Sequence, residues 1–248
     1  MNKYLKNLSE LKAVHKSDRW KYYIAREYFT RIPILENRES LVSEDFLINA
    51  GMVIEPIWKD EQLDEEGMAY KEFLVQNTLK GWTRQSVAQK LLTANERLKL
   101  QGYTLVLKAG FRPLEVQRKV FNDVLDGFRS KYPAMREVEL IEMARDYISD
   151  PSQLSPPHTV GAAVDVMLRD TTGTTIDMGC EVNKGEDIAW ADYEGLSVKQ
   201  VENRKILRDA MLVAGFAPLG SEWWHFSYGD QIWAAYYGKA RAFYEIYE

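Results

Sequence analysis

Pro156-Pro157-His158-Thr159-Val160-Gly161 runs into Ala162-Ala163-Val164-Asp165-Val166-Met167-Leu168, and the second half of this stretch reads as an apolar strand with one acid inside it. The prolines hold the approach extended, and Gly161 permits a sharp turn before the strand. A carboxylate in a buried strand is costly unless it is paired or binds a metal. An extended approach, a tight turn and a strand can bring His158 and Asp165 together. On the spacing alone the plainer reading is the stronger: a surface His and an Asp satisfied by a backbone donor.

Outward from this strand the pattern is mixed. Val87, Ala88, Leu91, Leu92 and Leu98 predict one face of a helix that Gly102 ends, and Tyr103-Thr104-Leu105-Val106-Leu107 predicts a strand. Pro113 suits the first turn of a helix over 113–129, with Val116, Val120, Val124 and Phe128 at four-residue spacing. Helices are predicted over 136–148, over 198–214 (Val201, Ile206 or Leu207, Met211 and Val213 as its apolar stripe) and over 232–247, with an aromatic strand over 222–228. In the first 70 residues, Leu5, Leu8 and Leu11 hint at a short helix, 31–35 and 51–58 look extended, and the acids of 60–66 mark a solvated segment. Helices and short strands without a regular βαβ rhythm predict an α+β fold with a small antiparallel sheet flanked by helices. The whole chain, 1–248, is expected to be one catalytic domain, with 1–80 as an N-terminal extension of it.

The 248 residues are 46% hydrophobic and 28% charged, ordinary values for a globular protein. Lys plus Arg is 32 against 37 Asp plus Glu, a net charge of −5, which argues against a nucleic-acid partner held by phosphate neutralisation. No run approaches the roughly 18 apolar residues of a membrane span, so no membrane partner is expected. The charged N-terminus is followed by a polar stretch rather than an apolar one, which predicts a cytoplasmic location. Cys180 stands alone, so neither an internal disulfide nor a thiolate zinc site is available. A metal site must draw on carboxylates and on His15, His158 and His225, and His15 has no evident role.

Glu222-Trp223-Trp224-His225 is a second oddity. In a strand an odd spacing sends side chains to opposite faces, but Gly220-Ser221 would let Glu222 turn in at the strand entrance. The plain alternative is an exposed Glu and a core His between aromatic rings. Taken together, His158, Asp165 and His225 supply N, O and N ligands; three protein ligands plus water make a catalytic zinc site, whereas four make a structural one. Glu222 is then left unligated beside the site, as a general base would be. Arg112, in Gly110-Phe111-Arg112-Pro113, falls at the predicted N-cap, where a cation opposes the helix dipole; a site anion is one reason for it, and a solvated Arg is the other.

His158-Thr-Val-Gly161-Ala-Ala163-Val-Asp165 resembles the H-x-x-G-x-A-x-D motif of zinc D,D-peptidases. Glu222-Trp-Trp-His225 resembles their E-x-W-H motif, and Gly110-Phe-Arg112-Pro113 their G-[YF]-R-P turn. With the motifs in the family's order, 83–248 is similar to the D-alanyl-D-alanine dipeptidases of the vancomycin-resistance type. The resemblance implies one zinc per chain on His158, Asp165 and His225, Glu222 as catalytic base, Arg112 stabilising the transition state, and Ser155, Asn183 and Trp224 binding substrate. It implies the fold shared with Hedgehog signalling domains, in which a small antiparallel sheet carries the metal. It implies a small peptide substrate, D-Ala-D-Ala, with a peptidoglycan D,D-carboxypeptidase or L,D-endopeptidase, or a non-catalytic zinc-binding module, as the alternatives. Two positions depart from the pattern. Pro156 stands where the family has the Ser of S-x-H, the nearest hydroxyl being Ser155, and beyond Asp177-Met178-Gly179 the ammonium-selecting Asp has Asn183 as its nearest counterpart. Glu181 and Asp187 are possible substitutes for that charge.

Overall fold

A computed structural model describes residues 29–55, 81–152, 155–183 and 187–247. The expected helix near Leu5, His15, the second half of 51–58 and the acids of 60–66 lie outside the described residues. The elements, in chain order, are β1 (Leu41–Val42), α1 (Glu44–Asn49), β2 (Val53–Ile54), β3 (Thr83–Arg84), α2 (Gln85–Lys99), β4 (Tyr103–Ala109), α3 (Leu114–Lys131), α4 (Glu137–Tyr147), β5 (Ala163–Asp170), α5 (Val198–Val213), β6 (Ala217–Leu219), β7 (Glu222–Ser227) and α6 (Gln231–Tyr236).

The principal sheet has five strands in the order β2-β4-β5-β7-β6. Its pairings are antiparallel except at one edge, where β2 runs parallel to β4. β1 and β3 pair separately. Residues opposite one another in an antiparallel pair share a face. Leu105↔Leu168, Leu107↔Val166 and Val164↔Phe226 therefore make one apolar face, and they join the core with Leu91 and Leu98 of α2 and Leu207 and Met211 of α5. The alternate residues of the same strands, Asp165, His225 and Ser227, are turned to the other face. α3 and α4 pack as a hairpin with a small core of their own, built on Phe121, Leu125, Leu140 and Ala144.

Three expectations are corrected. The helix predicted over 232–247 ends at Tyr236, because Gly238 takes a left-handed φ of 62°. Beyond it the chain is irregular and bridges back, Ala242 to Ile34, while the Tyr247 amide donates to the Thr159 carbonyl. In α5 the middle of the expected apolar stripe, Leu207 and Met211, is buried, but its ends are not. Val201 and Val213 are exposed, and the inward face carries Asn203 and Arg204 beside Leu207, Ala210 and Met211. In α3 the strict four-residue stripe drifts around the helix, as about 3.6 residues per turn requires, and the buried line is Val116, Gln117, Phe121 and Leu125.

One buried cation ties the periphery to the site. Arg84 donates to the carbonyls of Val160, Glu39 and Glu245, and its guanidinium lies between the rings of Tyr244 and Tyr247, 4.9 Å from each centroid. It thus holds the N-terminal segment and the C-terminal run against the turn that carries His158. Among the described residues no helix is long and apolar enough to cross a membrane.

Candidate active site

The geometry begins with the cross-strand pair Asp165↔His225, which sets both side chains on the face away from α2 and α5. His225 Nδ1 lies 3.2 Å from Asp165 Oδ1. His158 arrives from the turn before β5. Its neighbours close that turn: the Thr159 and Val160 amides donate to the Pro156 carbonyl, and Gly161 (φ 72°) donates to the His158 carbonyl. The left-handed φ of Gly161 favours glycine, while a Cβ there would meet only the movable end of the Leu41 side chain. The turn is docked on the end of β4. The Arg112 amide donates to the His158 carbonyl, and His158 Nδ1–H donates to the Gly110 carbonyl at 2.8 Å. That last bond fixes the tautomer and leaves the Nε2 lone pair free, 3.4 Å from Asp165 Oδ2.

Glu222 reaches the same place through an irregularity. β6 and β7 pair Pro218↔Phe226 and then Leu219↔Glu222, so the register slips between them. The slip cancels the odd spacing, and Glu222 Oε2 stands 3.7 Å from His225 Nδ1. The expected turn at the strand entrance is found: Gly220-Ser221 form the two-residue turn between β6 and β7, and the register shift follows it.

Burial and charge act against each other here. Desolvation favours the neutral acid at Asp165, yet the charges and hydrogen bonds of His158 and His225 hold it ionised, well below the usual carboxylate range. Burial pushes His158 down. Burial would also lower His225, but the hydrogen bond and charge of Asp165 more than offset it and leave that ring raised. Burial lifts Glu222 to about 7, with His225 and Arg112 opposing and the Asp165 charge adding to the rise. With 31% of its side chain exposed, Glu222 has a path to the cavity.

Three donor atoms, one each from His158, Asp165 and His225, lie within 4.8 Å of one another. The set is N, O and N, buried and pre-oriented, and it fits a zinc ion with a position left open. A cavity of about 320 Å³ opens on it, lined on one side by Arg112, Gln117 and Arg145 and on the other by Phe29, Leu219 and Ile232. Arg112 Nη1 donates to Gln117 Oε1, and Gln117 Nε2 in turn donates to the Ser149 carbonyl. Arg112 is not the N-cap expected from the sequence. Pro113 caps α3 and Arg112 precedes it, so its side chain is aimed by the β4–α3 turn rather than by the helix end.

Ser155 and Asn183 line the cavity, Asn183 with a left-handed φ of 70° that Asn tolerates. Trp224 does not line it: at 3% exposure it packs in the main core, but its side chain hydrogen-bonds Glu222. Glu181 and Asp187 are not on the cavity wall either. Two residues that the sequence did not flag hold the Asn183 loop. Arg204 donates to the carbonyls of Met178, Ile188 and Trp190, and Asn203 Nδ2 donates to that of Asp177. Their only sequence signal is a polar pair in an otherwise amphipathic helix. Phe29, on the cavity wall, lies in a stretch with no readable motif.

Against known proteins, a family model described as D-ala-D-ala dipeptidase matches residues 65–244. A D-alanyl-D-alanine dipeptidase of Enterococcus faecium is 29% identical over 153 residues, 58% of this chain and 72% of that protein. Relatives of the same description from Synechocystis sp. and Escherichia coli are 38% identical over 95 residues and 27% over 127. These alignments cover 34% and 51% of this chain, and the chain spans only 38% and 56% of the two relatives' lengths. Among solved structures, the LdcB LD-carboxypeptidase overlays with a TM-score of 0.42 at 17% identity, covering 81% of this chain and 72% of that one. VanYB in complex with D-alanine-D-alanine overlays at 0.41 and 14%, covering 77% and 93%.

Proposed function

The chain belongs to the D-Ala-D-Ala dipeptidase family, and from that premise we propose that it is a zinc peptidase cleaving D-Ala-D-Ala into two D-Ala. The observation that carries the reading is the buried His158–Asp165–His225 cluster with Glu222 beside it at the floor of an open cavity. One zinc, held by His158, Asp165 and His225, would polarise the scissile carbonyl and acidify a water. Glu222, lifted by burial to about 7, takes the proton of the attacking water and passes it to the leaving amine. Arg112 sets positive charge where the carbonyl oxygen becomes negative. Ser155 and Asn183 supply polar contacts along the cavity wall.

Arg112→Lys is expected to lower kcat roughly 10²- to 10³-fold, the typical effect of losing one transition-state donor. An ammonium cannot copy the fork that Arg112 presents between Gln117 and the cavity. Zinc content measured alongside should be unchanged. A wild-type rate would remove Arg112 from the chemistry.

The second reading, a carboxypeptidase on longer peptides, is favoured by one observation: Asn183, the nearest counterpart of the ammonium-selecting Asp that the resemblance implies, is a neutral side chain on the cavity wall. An unpaired ammonium taken from water is strongly disfavoured. We therefore expect the free dipeptide to be cleaved, with weaker discrimination against its N-acetylated form than a relative with Asp there would show. Comparing kcat/KM for the two forms tests this. Cleavage of the acetylated form alone would replace the dipeptidase reading by the carboxypeptidase one. A free dipeptide is diffusible, and the cytoplasm is the compartment this proposal assigns.

A further inference from the structure

We propose that Asp230 is a positioning residue for His225: its carboxylate takes the outer N–H of the imidazole, so that the inner nitrogen stays aimed at the metal. The inference rests on the zinc reading of the His158–Asp165–His225 cluster.

His225 uses Nδ1 toward the cluster, facing Asp165 at 3.2 Å and Glu222 at 3.7 Å. Its other nitrogen, Nε2, is buried and has no hydrogen-bond partner among the described residues. With Nδ1 committed to a metal, Nε2 must carry the proton, and a buried N–H without an acceptor is costly. Ser227 stands two residues further along β7, on the same face of the sheet. Its hydroxyl donates to Asp230 Oδ1 at 2.9 Å, and the Trp233 amide donates to the same oxygen at 2.8 Å. These two bonds fix the carboxylate against the strand that carries His225. Among the described residues the second oxygen, Oδ2, is buried and has no hydrogen-bond partner. Asp230 is 2% exposed and lines the same cavity as His225.

An orphan donor and an orphan acceptor thus occupy neighbouring positions on one face. They are not hydrogen-bonded to each other in this structure; the proposed bond forms when the ring turns as Nδ1 engages a metal. Capping α6 needs only Oδ1 and gives no reason for a charge at Oδ2. Imidazoles that bind metal typically donate their other N–H to a carboxylate or carbonyl, and loss of that partner costs about 10- to 100-fold in metal affinity.

Asp230→Asn is the test. Asparagine keeps an oxygen for Trp233 and Ser227 and caps as well as aspartate does, but it cannot accept at the second position. Zinc affinity is read by competition with a chromophoric chelator, and unfolding of the zinc-free protein by urea. The expected result is a dissociation constant raised about 10- to 100-fold with unchanged zinc-free stability, and altered d–d absorption bands in the cobalt-substituted protein. Asp230→Ser, which also caps without a charge, should behave alike and serves if the Asn variant folds poorly. Wild-type zinc affinity in both variants overturns the proposal, as does a raised KM for the free dipeptide with zinc affinity intact, which would make Asp230 a substrate contact. Absence of zinc binding by the wild-type protein would instead remove the reading on which the inference stands.

Discussion

Glu222→Gln is expected to keep the fold and a full complement of zinc while lowering kcat on D-Ala-D-Ala by about 10²- to 10⁴-fold, the usual worth of a general base. The carboxamide has the size of the carboxylate and can stay in the register slip between Leu219 and Glu222. It cannot take a proton. Metal content should hold because Glu222 is outside the three-donor cluster. Burial lifts the Glu222 carboxyl to about 7, which suits a group that must accept a proton and then release it near neutrality. Steady-state rates on samples of measured zinc content check the point. A wild-type kcat would take the base role from Glu222.

His225→Ala is expected to abolish stoichiometric zinc and, with it, turnover. Two donors on His158 and Asp165 would remain, fewer than the three protein ligands of a catalytic zinc site. The change also strips Asp165 of the hydrogen bond at 3.2 Å and leaves one of its oxygens without that partner. Elemental analysis after dialysis should give close to no zinc, against about one per chain in the wild type. Full retention would remove His225 from the ligand set.

Much of this site is legible in the sequence because its residues break local rules. Asp165 is an acid in an apolar strand, and its cost in a buried strand is the reason to look for partners. α2, β4 and β5 are legible because each carries a continuous period of apolar residues over its length. What escapes is set by distant partners. β2 is two residues long and parallel to β4, so no periodicity announces it. Arg84 and Arg204 are charged residues that look solvated, and they are buried only because carbonyls from far along the chain converge on them. The end of α6 turns on Gly238 against a run of aromatic residues that would otherwise continue the helix. Trp224 shows the opposite failure: its place inside the E-x-W-H motif suggests a substrate contact, but it is buried in the core, where its side chain hydrogen-bonds Glu222 instead. Glu222 reaches the site past the Gly220-Ser221 turn, which the sequence announces, and through a register slip that its spacing does not encode.

The three-donor cluster and Glu222 are proposed to hydrolyse a free D-amino-acid dipeptide. Release of D-Ala from D-Ala-D-Ala by the zinc-loaded protein tests it most directly, quantified by amino-acid analysis before chelation, after chelation and after zinc is restored. The account predicts two D-Ala per dipeptide consumed, loss of that activity on chelation and its return with zinc. No D-Ala from the dipeptide, or the same rate with the metal stripped, would contradict it.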